Sequence, residues 1–249
     1  MTALLSLDNV SRRFGGLKAV DSVSFSVGKG EIVGLIGPNG AGKTTLINMI
    51  TGVHPATSGH VRFDDGDITR ARPYQIARRG LARTFQIVQP FPKMTVVDNV
   101  AAGALFCGHA RGVSDARHIA REHLTFTGLI DVAERPAASL TLARRKRLEL
   151  AKGLAMRPRL LMLDEVNAGL NQAEVDDALA IIRKIADQGV TIIVIEHLMK
   201  VVLSICHRLL VLHHGQLISQ GTPRDVVNDQ RVIEAYLGTK YAAKRGATR

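Results

Sequence analysis

The glycine-rich segment at residues 37–45, GPNGAGKTT, constrains the fold of this 249-residue chain more than any other stretch. Its first eight residues match the pattern G-x-x-x-x-G-K-[ST] in full. The apolar run at residues 31–36 precedes it and indicates a buried strand, and residues 44–50 follow with a helix-like pattern that stops before Gly52. A strand, a glycine loop and a helix in this order are typical of a phosphate-binding loop.

The residue types in this loop explain its expected chemistry. Glycines let the backbone fold tightly, so that successive N–H groups point at phosphate oxygens, and the helix N-terminus adds its dipole. We expect Lys43 to reach the outer phosphates and the Thr44 hydroxyl to ligate Mg²⁺. The sequence therefore predicts a nucleoside triphosphate site formed by Gly37, Pro38, Asn39, Gly40, Ala41, Gly42, Lys43, Thr44 and Thr45.

A second apolar run supplies the carboxylates that such a loop requires. Residues 160–163 read Leu-Leu-Met-Leu, and Asp164 and Glu165 follow directly. An apolar run ending in two acids is common in proteins, so this interpretation depends on its pairing with the glycine loop. We expect Asp164 to hold Mg²⁺ and Glu165 to polarise an attacking water.

The order of predicted elements indicates the fold class. Short strands and turns fill the first third, with a turn signal at Asp65-Gly66, and residues 87–157 read as a helical insert in which Ser114 is predicted to cap a helix. The remaining predicted elements are a strand at 160–163, a helix through 175–185 closed by Gly189, a strand at 191–195, a helix at 198–205 and a hairpin at 208–219. Strands alternating with helices favour a mostly parallel sheet covered on both sides.

Composition narrows the class of protein further. No apolar run approaches the roughly 18 residues needed to cross a bilayer, and the first ten residues lack the pattern of a signal peptide, so we expect a cytoplasmic protein. The net charge of +11 favours contact with nucleic acid or with anionic lipid headgroups, and charge alone does not choose between them.

Further motifs, in the same order along the chain, resemble the ATP-binding subunits of ABC transporters over about residues 5–238. Gln86 is similar to the Q-loop glutamine, which contacts the metal and links the catalytic core to a helical lobe. His197 is similar to the switch histidine, which contacts the terminal phosphate. Phe14 is similar to the aromatic residue that stacks on adenine, and residues 168–171 resemble the D-loop at the dimer interface.

The resemblance implies an α/β fold, a P-loop NTPase (RecA-like) core with an N-terminal antiparallel β subdomain and an inserted helical subdomain. It implies an ATPase domain at residues 1–238, with the helical subdomain at 87–157 and a basic tail at 239–249. ATP and Mg²⁺ are the implied cofactors. The implied metal ligands are Thr44, Gln86 and Asp164, and the implied catalytic residues are Glu165, His197, Gln86 and Lys43.

The stretch at residues 139–151, SLTLARRKRLELA, places four successive cations at an expected helix start, where unpaired cations are disfavoured. Residues 140–144 resemble the family's L-S-G-G-Q turn, which faces ATP held by the other subunit, so we expect Thr141, Ala143 and Arg144 to contact that nucleotide. Thr141 keeps a hydroxyl, but Leu142 and Ala143 replace two glycines, and the Ala143 methyl is expected to hinder close backbone approach. These departures predict slow hydrolysis at the partner's site.

Finer similarity points to the first ATPase subunit of high-affinity branched-chain amino acid uptake systems, at residues 78–86, 94–96, 168–171, 194–197 and 232–238. It implies a head-to-tail dimer with a second ATPase subunit, two permease subunits and an extracytoplasmic binding protein, at the cytoplasmic face of the inner membrane and without nucleic acid. Two alternatives stay open. One is a soluble ABC ATPase acting on nucleic acid, which the charge favours, and the other is the ATPase of another ABC transporter, such as a lipopolysaccharide exporter.

Overall fold

The computed structural model describes residues 3–85, 88, 90–107, 110–196 and 198–237. Contacts divide the chain into two compact units, of which one contains Met1–Pro73 with Ile193–Arg249 and the other Tyr74–Ile192. Within the described ranges, no helix is long and apolar enough to span a bilayer.

The described residues form ten strands and nine α-helices. The strands are β1 (Ala3–Phe14), β2 (Leu17–Gly28), β3 (Ile32–Ile36), β4 (Ser58–Phe63), β5 (Gly66–Asp67), β6 (Leu81–Arg83), β7 (Leu160–Asp164), β8 (Thr191–Ile195), β9 (Arg208–His213) and β10 (Gln216–Gly221). The helices are α1 (Lys43–Ile50), α2 (Pro73–Arg78), α3 (Val96–Phe106), α4 (Val113–Phe126), α5 (Leu142–Ala155), α6 (Gln172–Asp187), α7 (Met199–Ile205), α8 (Pro223–Asn228) and α9 (Gln230–Leu237).

An antiparallel sheet in the order β2-β1-β4-β5 forms the N-terminal part of the first unit. Alternate residues of β1 pair with buried partners on both sides, as Leu5 does with Val27 and Phe63. The turn between β4 and β5 consists of Asp64 and Asp65, with φ angles of 49° and 62°, one residue before the predicted Asp65-Gly66, because Gly66 already pairs with Phe63 in the ladder. Two successive positive φ values suit the tight turns that join twisted antiparallel strands.

A second sheet contains six strands in the order β10-β9-β3-β8-β7-β6. Parallel pairing joins β3 to β9 and β6 to β7, and β10 adds an antiparallel edge. Every residue of β3, β7 and β8 is buried, as expected for parallel strands covered on both faces. The mostly parallel sheet that the alternating pattern predicts is confirmed.

Helices α3, α4 and α5 pack around their own apolar core within the second unit. Its fully buried members include Val96, Val100, Leu124 and Leu148. The Arg117 guanidinium bridges the carboxylates of α3 and of the turn that follows α4, because it pairs with both Asp98 and Glu134. These helices fall inside the predicted insert, whose bounds at 87 and 157 stay a prediction.

The expected Ser114 cap is wrong. The N-cap of helix α4 is Gly112, two residues earlier, the helix begins at Val113, and no side chain caps it. The Asp115 carboxylate in the first turn instead accepts a hydrogen bond of 2.9 Å from the Arg111 N–H. Ser114 therefore lies inside the helix, where its hydroxyl is not placed to cap the first turn.

Candidate functional site

The glycine loop leaves the end of β3 through positions where only glycine fits. Gly37 has a φ of +152°, and a Cβ built on it would lie 2.1 Å from the Leu212 carbonyl oxygen on β9. Gly42 has a φ of +102°, and a Cβ there would lie 2.5 Å from the Ala19 carbonyl oxygen on β2. Backbone crowding on two sides therefore fixes the path of the loop.

The start of α1 carries hydrogen-bond donors, namely the N–H groups of its first turn and the Lys43 ammonium. Gly42 is the N-cap, and no side chain accepts a hydrogen bond from the first turn, so the helix N-terminus keeps its partial positive charge. The Lys43 Nζ donates hydrogen bonds to the carbonyls of Gly37, at 2.6 Å, and Pro38, at 3.0 Å. Thr44 is exposed at the same helix start, and Thr45 is half-buried. This combination of an ammonium, a hydroxyl and free amide dipoles suits a phosphate chain.

Phe14, the residue predicted to stack on adenine, lies in the first unit with two side-chain neighbours. Phe14 is 41% exposed at the end of β1, and the Arg12 guanidinium lies 4.6 Å from its ring centroid. The His54 ring contacts Phe14 edge-on at 5.5 Å. These two neighbours hold the Phe14 ring at the surface, where it is accessible to a planar ligand.

Tyr236 on α9 contacts the loop itself. Burial raises the pKa of its hydroxyl, and a hydrogen bond from the Gly37 N–H partly offsets that effect. The contact of Tyr236 with the loop could not be predicted from the sequence, since nothing in the local pattern of α9 marks a contact with a loop about 200 residues earlier.

In the second unit, β7 ends at Asp164, which is only 5% exposed. The Arg83 Nη2 lies 2.7 Å from the Asp164 Oδ2, and the Thr84 hydroxyl accepts a hydrogen bond of 3.2 Å from the Asp164 N–H. Parallel pairing of β6 with β7 produces both contacts, because Arg83 is opposite Met162 in the ladder. The carboxylate is therefore fixed by the neighbouring strand, and sequence spacing gave no sign of its arginine partner.

Glu165 follows in the left-handed region, with a φ of +48°. Residues other than glycine adopt this conformation at a cost, and it is found most often where surrounding contacts impose it. The Glu165 carbonyl oxygen accepts a hydrogen bond of 3.1 Å from the Ala168 N–H and one of 2.9 Å from the Lys146 Nζ.

Each of the four cations at the start of α5 has a partner within the chain. Thr141 is the N-cap and accepts a hydrogen bond from the Arg144 N–H. The contacts are Arg144 with Asp131 at 3.0 Å, Arg145 with the Ala138 carbonyl at 2.9 Å, Lys146 with the Glu165 carbonyl at 2.9 Å, and Arg147 with Asp177 at 2.7 Å. Two of these partners, Asp131 and Asp177, are carboxylates, and the other two are main-chain carbonyls.

The two predicted residues Gln86 and His197 lie outside the described residues. The predictions that Thr141, Ala143 and Arg144 face a partner's nucleotide also stay predictions. Ala143 lies inside α5 and is not among the residues with positive φ, so its backbone is unstrained.

Comparison with known proteins decides the family. A family model described as ABC transporter matches residues 20–168, more than half of the chain. This chain belongs to the ABC transporter family. A second model, described as branched-chain amino acid ATP-binding cassette transporter, matches residues 216–242.

Relatives of the ABC family align over almost the whole chain. The high-affinity branched-chain amino acid transport ATP-binding proteins BraF of Pseudomonas aeruginosa and LivG of Escherichia coli are each 39% identical over 94% of this chain and 98% of their own length. A crystal structure of the ADP conformation of the ATP-binding cassette MJ1267 has a TM-score of 0.86 and 33% identity, over 96% of this chain and all of that one. A nucleotide-free cassette of an ABC transporter gives the same TM-score at 32% identity, covering 94% and 99%.

These matches confirm the predicted fold class, a P-loop NTPase core with an antiparallel β subdomain and inserted helices. As an ABC ATPase, the chain binds nucleotide and hydrolyses ATP in a reaction coupled to transport. That the loop at residues 37–45 and the strand ending at Asp164 carry the family's two nucleotide motifs stays a prediction.

Proposed function

We propose that this chain energises the uptake of branched-chain or related amino acids, as one ATPase subunit of an ABC importer. The observation that carries the proposal is the match of residues 216–242 to the family model described as branched-chain amino acid ATP-binding cassette transporter. The glycine loop does not identify the cargo, because it is common to many ABC proteins. The names of relatives aligned over nearly the whole chain support the same cargo.

In this proposal ATP binds along the loop, with its phosphates on the N–H groups at the start of α1 and on Lys43. Phe14 stacks on the adenine, and its exposed ring supports that role. Glu165 accepts a proton from the attacking water, and His197 contacts the terminal phosphate. Gln86 links nucleotide occupancy to the helices of the second unit.

Oxygen ligands from Thr44, Gln86 and Asp164 are proposed to hold Mg²⁺ together with the phosphates. The donors fit the ion, because Mg²⁺ prefers oxygen and is held in nucleotide sites by one or two carboxylates plus phosphate. Within the described ranges no group of three or more His, Cys, Asp or Glu side chains forms a separate metal centre, which agrees with a site completed by phosphate. When bound, the ion neutralises charge that develops on the phosphates.

The proposed assembly contains a second ATPase subunit bound head to tail, two permease subunits and an extracytoplasmic binding protein. The chain would lie at the cytoplasmic face of the inner membrane as a peripheral subunit. Its net charge of +11 suits a surface close to anionic inner-leaflet lipids, and no nucleic acid is expected to bind.

Reconstitution of the chain with its permeases, partner ATPase and binding protein in liposomes tests this function. We expect ATP-dependent uptake of leucine, isoleucine or valine. No uptake of these amino acids, or ATPase stimulation by DNA or RNA at physiological salt, would contradict the cargo and favour the nucleic-acid alternative.

Substitution of Glu165 tests the mechanism. Glu165→Gln should keep Mg-ATP affinity and reduce phosphate release by roughly 10²- to 10⁴-fold, the usual contribution of a general base. Glu122→Gln removes an exposed carboxylate of α4 and should leave both values unchanged. Undiminished phosphate release from Glu165→Gln would exclude Glu165 as the base.

A further inference from the structure

Lys146 differs from the other cations of its run in burial. Arg144, Arg145 and Arg147 are half-buried, whereas Lys146 is only 6% exposed. Burying an ammonium costs free energy unless it gains hydrogen bonds or opposite charge. The Lys146 Nζ donates to the Glu165 carbonyl oxygen at 2.9 Å, so part of its compensation comes from the main chain of the proposed catalytic residue.

The same face of α5 contacts the segment after β7 at a second point. Leu142 is four residues before Lys146, and residues four apart lie on one face of a helix. A Cβ built on Gly169 would lie 3.0 Å from the Leu142 Cδ2, so the leucine side chain occupies the space beside that glycine. Helix α5 therefore contacts residues 165–169 at both ends of the segment.

The conformation of Glu165 makes the lysine contact consequential. Its φ of +48° is unfavourable for a side chain with a Cβ, and its carbonyl is directed at two donors, the Ala168 N–H and the Lys146 Nζ. The direction of the carbonyl and the direction of the Glu165 side chain are both set by the same backbone angles. Without the Lys146 ammonium, the Glu165 carbonyl would lose one of these two donors and keep the Ala168 N–H.

We propose that Lys146 is a positioning residue that holds the Glu165 backbone in its left-handed conformation and thereby aims the Glu165 carboxylate at the attacking water. This inference rests on the proposed role of Glu165. Lys146 itself transfers no proton, and its effect on hydrolysis passes through Glu165.

The test compares Lys146→Met, Lys146→Arg and Lys146→Gln with Lys152→Met in the assembled complex. Lys152 lies on the same helix and pairs with Glu149 at 2.6 Å, so its substitution controls for loss of a helix ammonium. Lys146→Met should lower kcat by about 10- to 100-fold, the effect of a misplacement near 1 Å, and change the Mg-ATP dissociation constant by less than about threefold. Lys146→Arg retains a donor and should restore kcat to within about fivefold of the unmodified protein, and Lys152→Met should leave kcat unchanged.

A double-mutant cycle separates positioning from general damage. In complexes whose partner ATPase carries a substitution that stalls the partner's own site, the remaining phosphate release reports this chain's site. There, in the Glu165→Gln background, Lys146→Met should lower the residual kcat no further, because the two residues act through one step. Full additivity of the two substitutions, or a kcat for Lys146→Met within about threefold of the unmodified value, would overturn the inference. If Lys146→Met does not fold, the same cycle with Lys146→Gln decides, since its shorter amide should also lower kcat.

The outcome distinguishes this inference from the proposed function. An unmodified complex without ATP-dependent transport would contradict the function. A complex that transports amino acids and tolerates Lys146→Met would contradict the positioning role alone.

Discussion

Backbone contacts, rather than flexibility in general, decide which loop residues must be glycine. Gly37 and Gly40 both have positive φ, but they differ in their surroundings. A Cβ on Gly37 would collide with a carbonyl oxygen of β9, whereas a Cβ on Gly40 would meet no atom within 4 Å. The strand neighbour therefore adds a steric requirement at Gly37 that the motif alone does not reveal.

Alanine substitution should expose this difference. We expect Gly40→Ala to lower the free energy of unfolding by about 1–2 kcal/mol, the cost of a left-handed L-residue. Gly37→Ala should cost about 3 kcal/mol or more, because a backbone oxygen cannot move aside as a flexible side chain can. Urea denaturation of the isolated chain measures both, and equal losses would show that the β9 contact is unimportant.

The glycine loop and the acidic pair could be identified from the sequence as a candidate nucleotide site, because their spacing is local and their chemistry requires particular residue types, and their roles stay predictions. The partners of those residues could not. Arg83 reaches Asp164, and Lys146 reaches Glu165, only after strand pairing and helix packing have brought distant segments together. The carboxylate partners of Arg144 and Arg147 could not be predicted for the same reason, since Asp131 and Asp177 come from other elements.

Among the helices, α6 begins with a reciprocal cap at the end of the stretch that resembles the D-loop. Asn171, at the end of the D-loop stretch, accepts a hydrogen bond of 3.0 Å from the Glu174 N–H, and the Glu174 carboxylate accepts one of 2.9 Å from the Asn171 N–H. This reciprocal pair is a capping box, and asparagine and aspartate serve about equally well in it.

Substitution of Asn171 tests the cap. Asn171→Ala should destabilise the protein by about 1 kcal/mol, because the Glu174 N–H loses its acceptor at the start of α6. Asn171→Asp keeps an acceptor and should stay within about 0.5 kcal/mol of the unmodified chain. Urea denaturation distinguishes the two, and an alanine variant as stable as the aspartate variant would show that the cap contributes nothing.

Hydrophobic periodicity predicted the bounds of an element where the segment had a clear strand pattern or a clear helix pattern. Strand β8 coincides with its prediction, and α6 ends shortly before Gly189, which has a φ of +84°. At α4 the prediction failed because the helix begins before the serine, with Gly112 as its N-cap and no side-chain cap. A cap-forming residue type in the sequence therefore did not locate this helix start.

On the scale of the proposed transporter, the departures at residues 140–144 are predicted to affect the partner's site and not this chain's own proposed nucleotide motifs. Ala143 lies in the first turn of α5 with an ordinary helical backbone, so its effect is limited to the volume of its methyl group. If residues 141–144 face the partner's ATP, that methyl separates the helix N–H groups from the terminal phosphate. The proposed dimer would then hydrolyse ATP unequally at its two sites.

Restoring glycine at this position tests the inequality. In a complex that carries Glu165→Gln, this chain's own site is stalled, so the remaining phosphate release reports the partner's site. Adding Ala143→Gly should raise that release by at least about threefold, although glycine in a helix costs about 0.5–1 kcal/mol of stability. Ala180→Gly places the same cost on an exposed position of α6 and should leave the release unchanged. Equal rates with and without Ala143→Gly would show that the methyl does not limit hydrolysis and that the altered turn is competent as it stands.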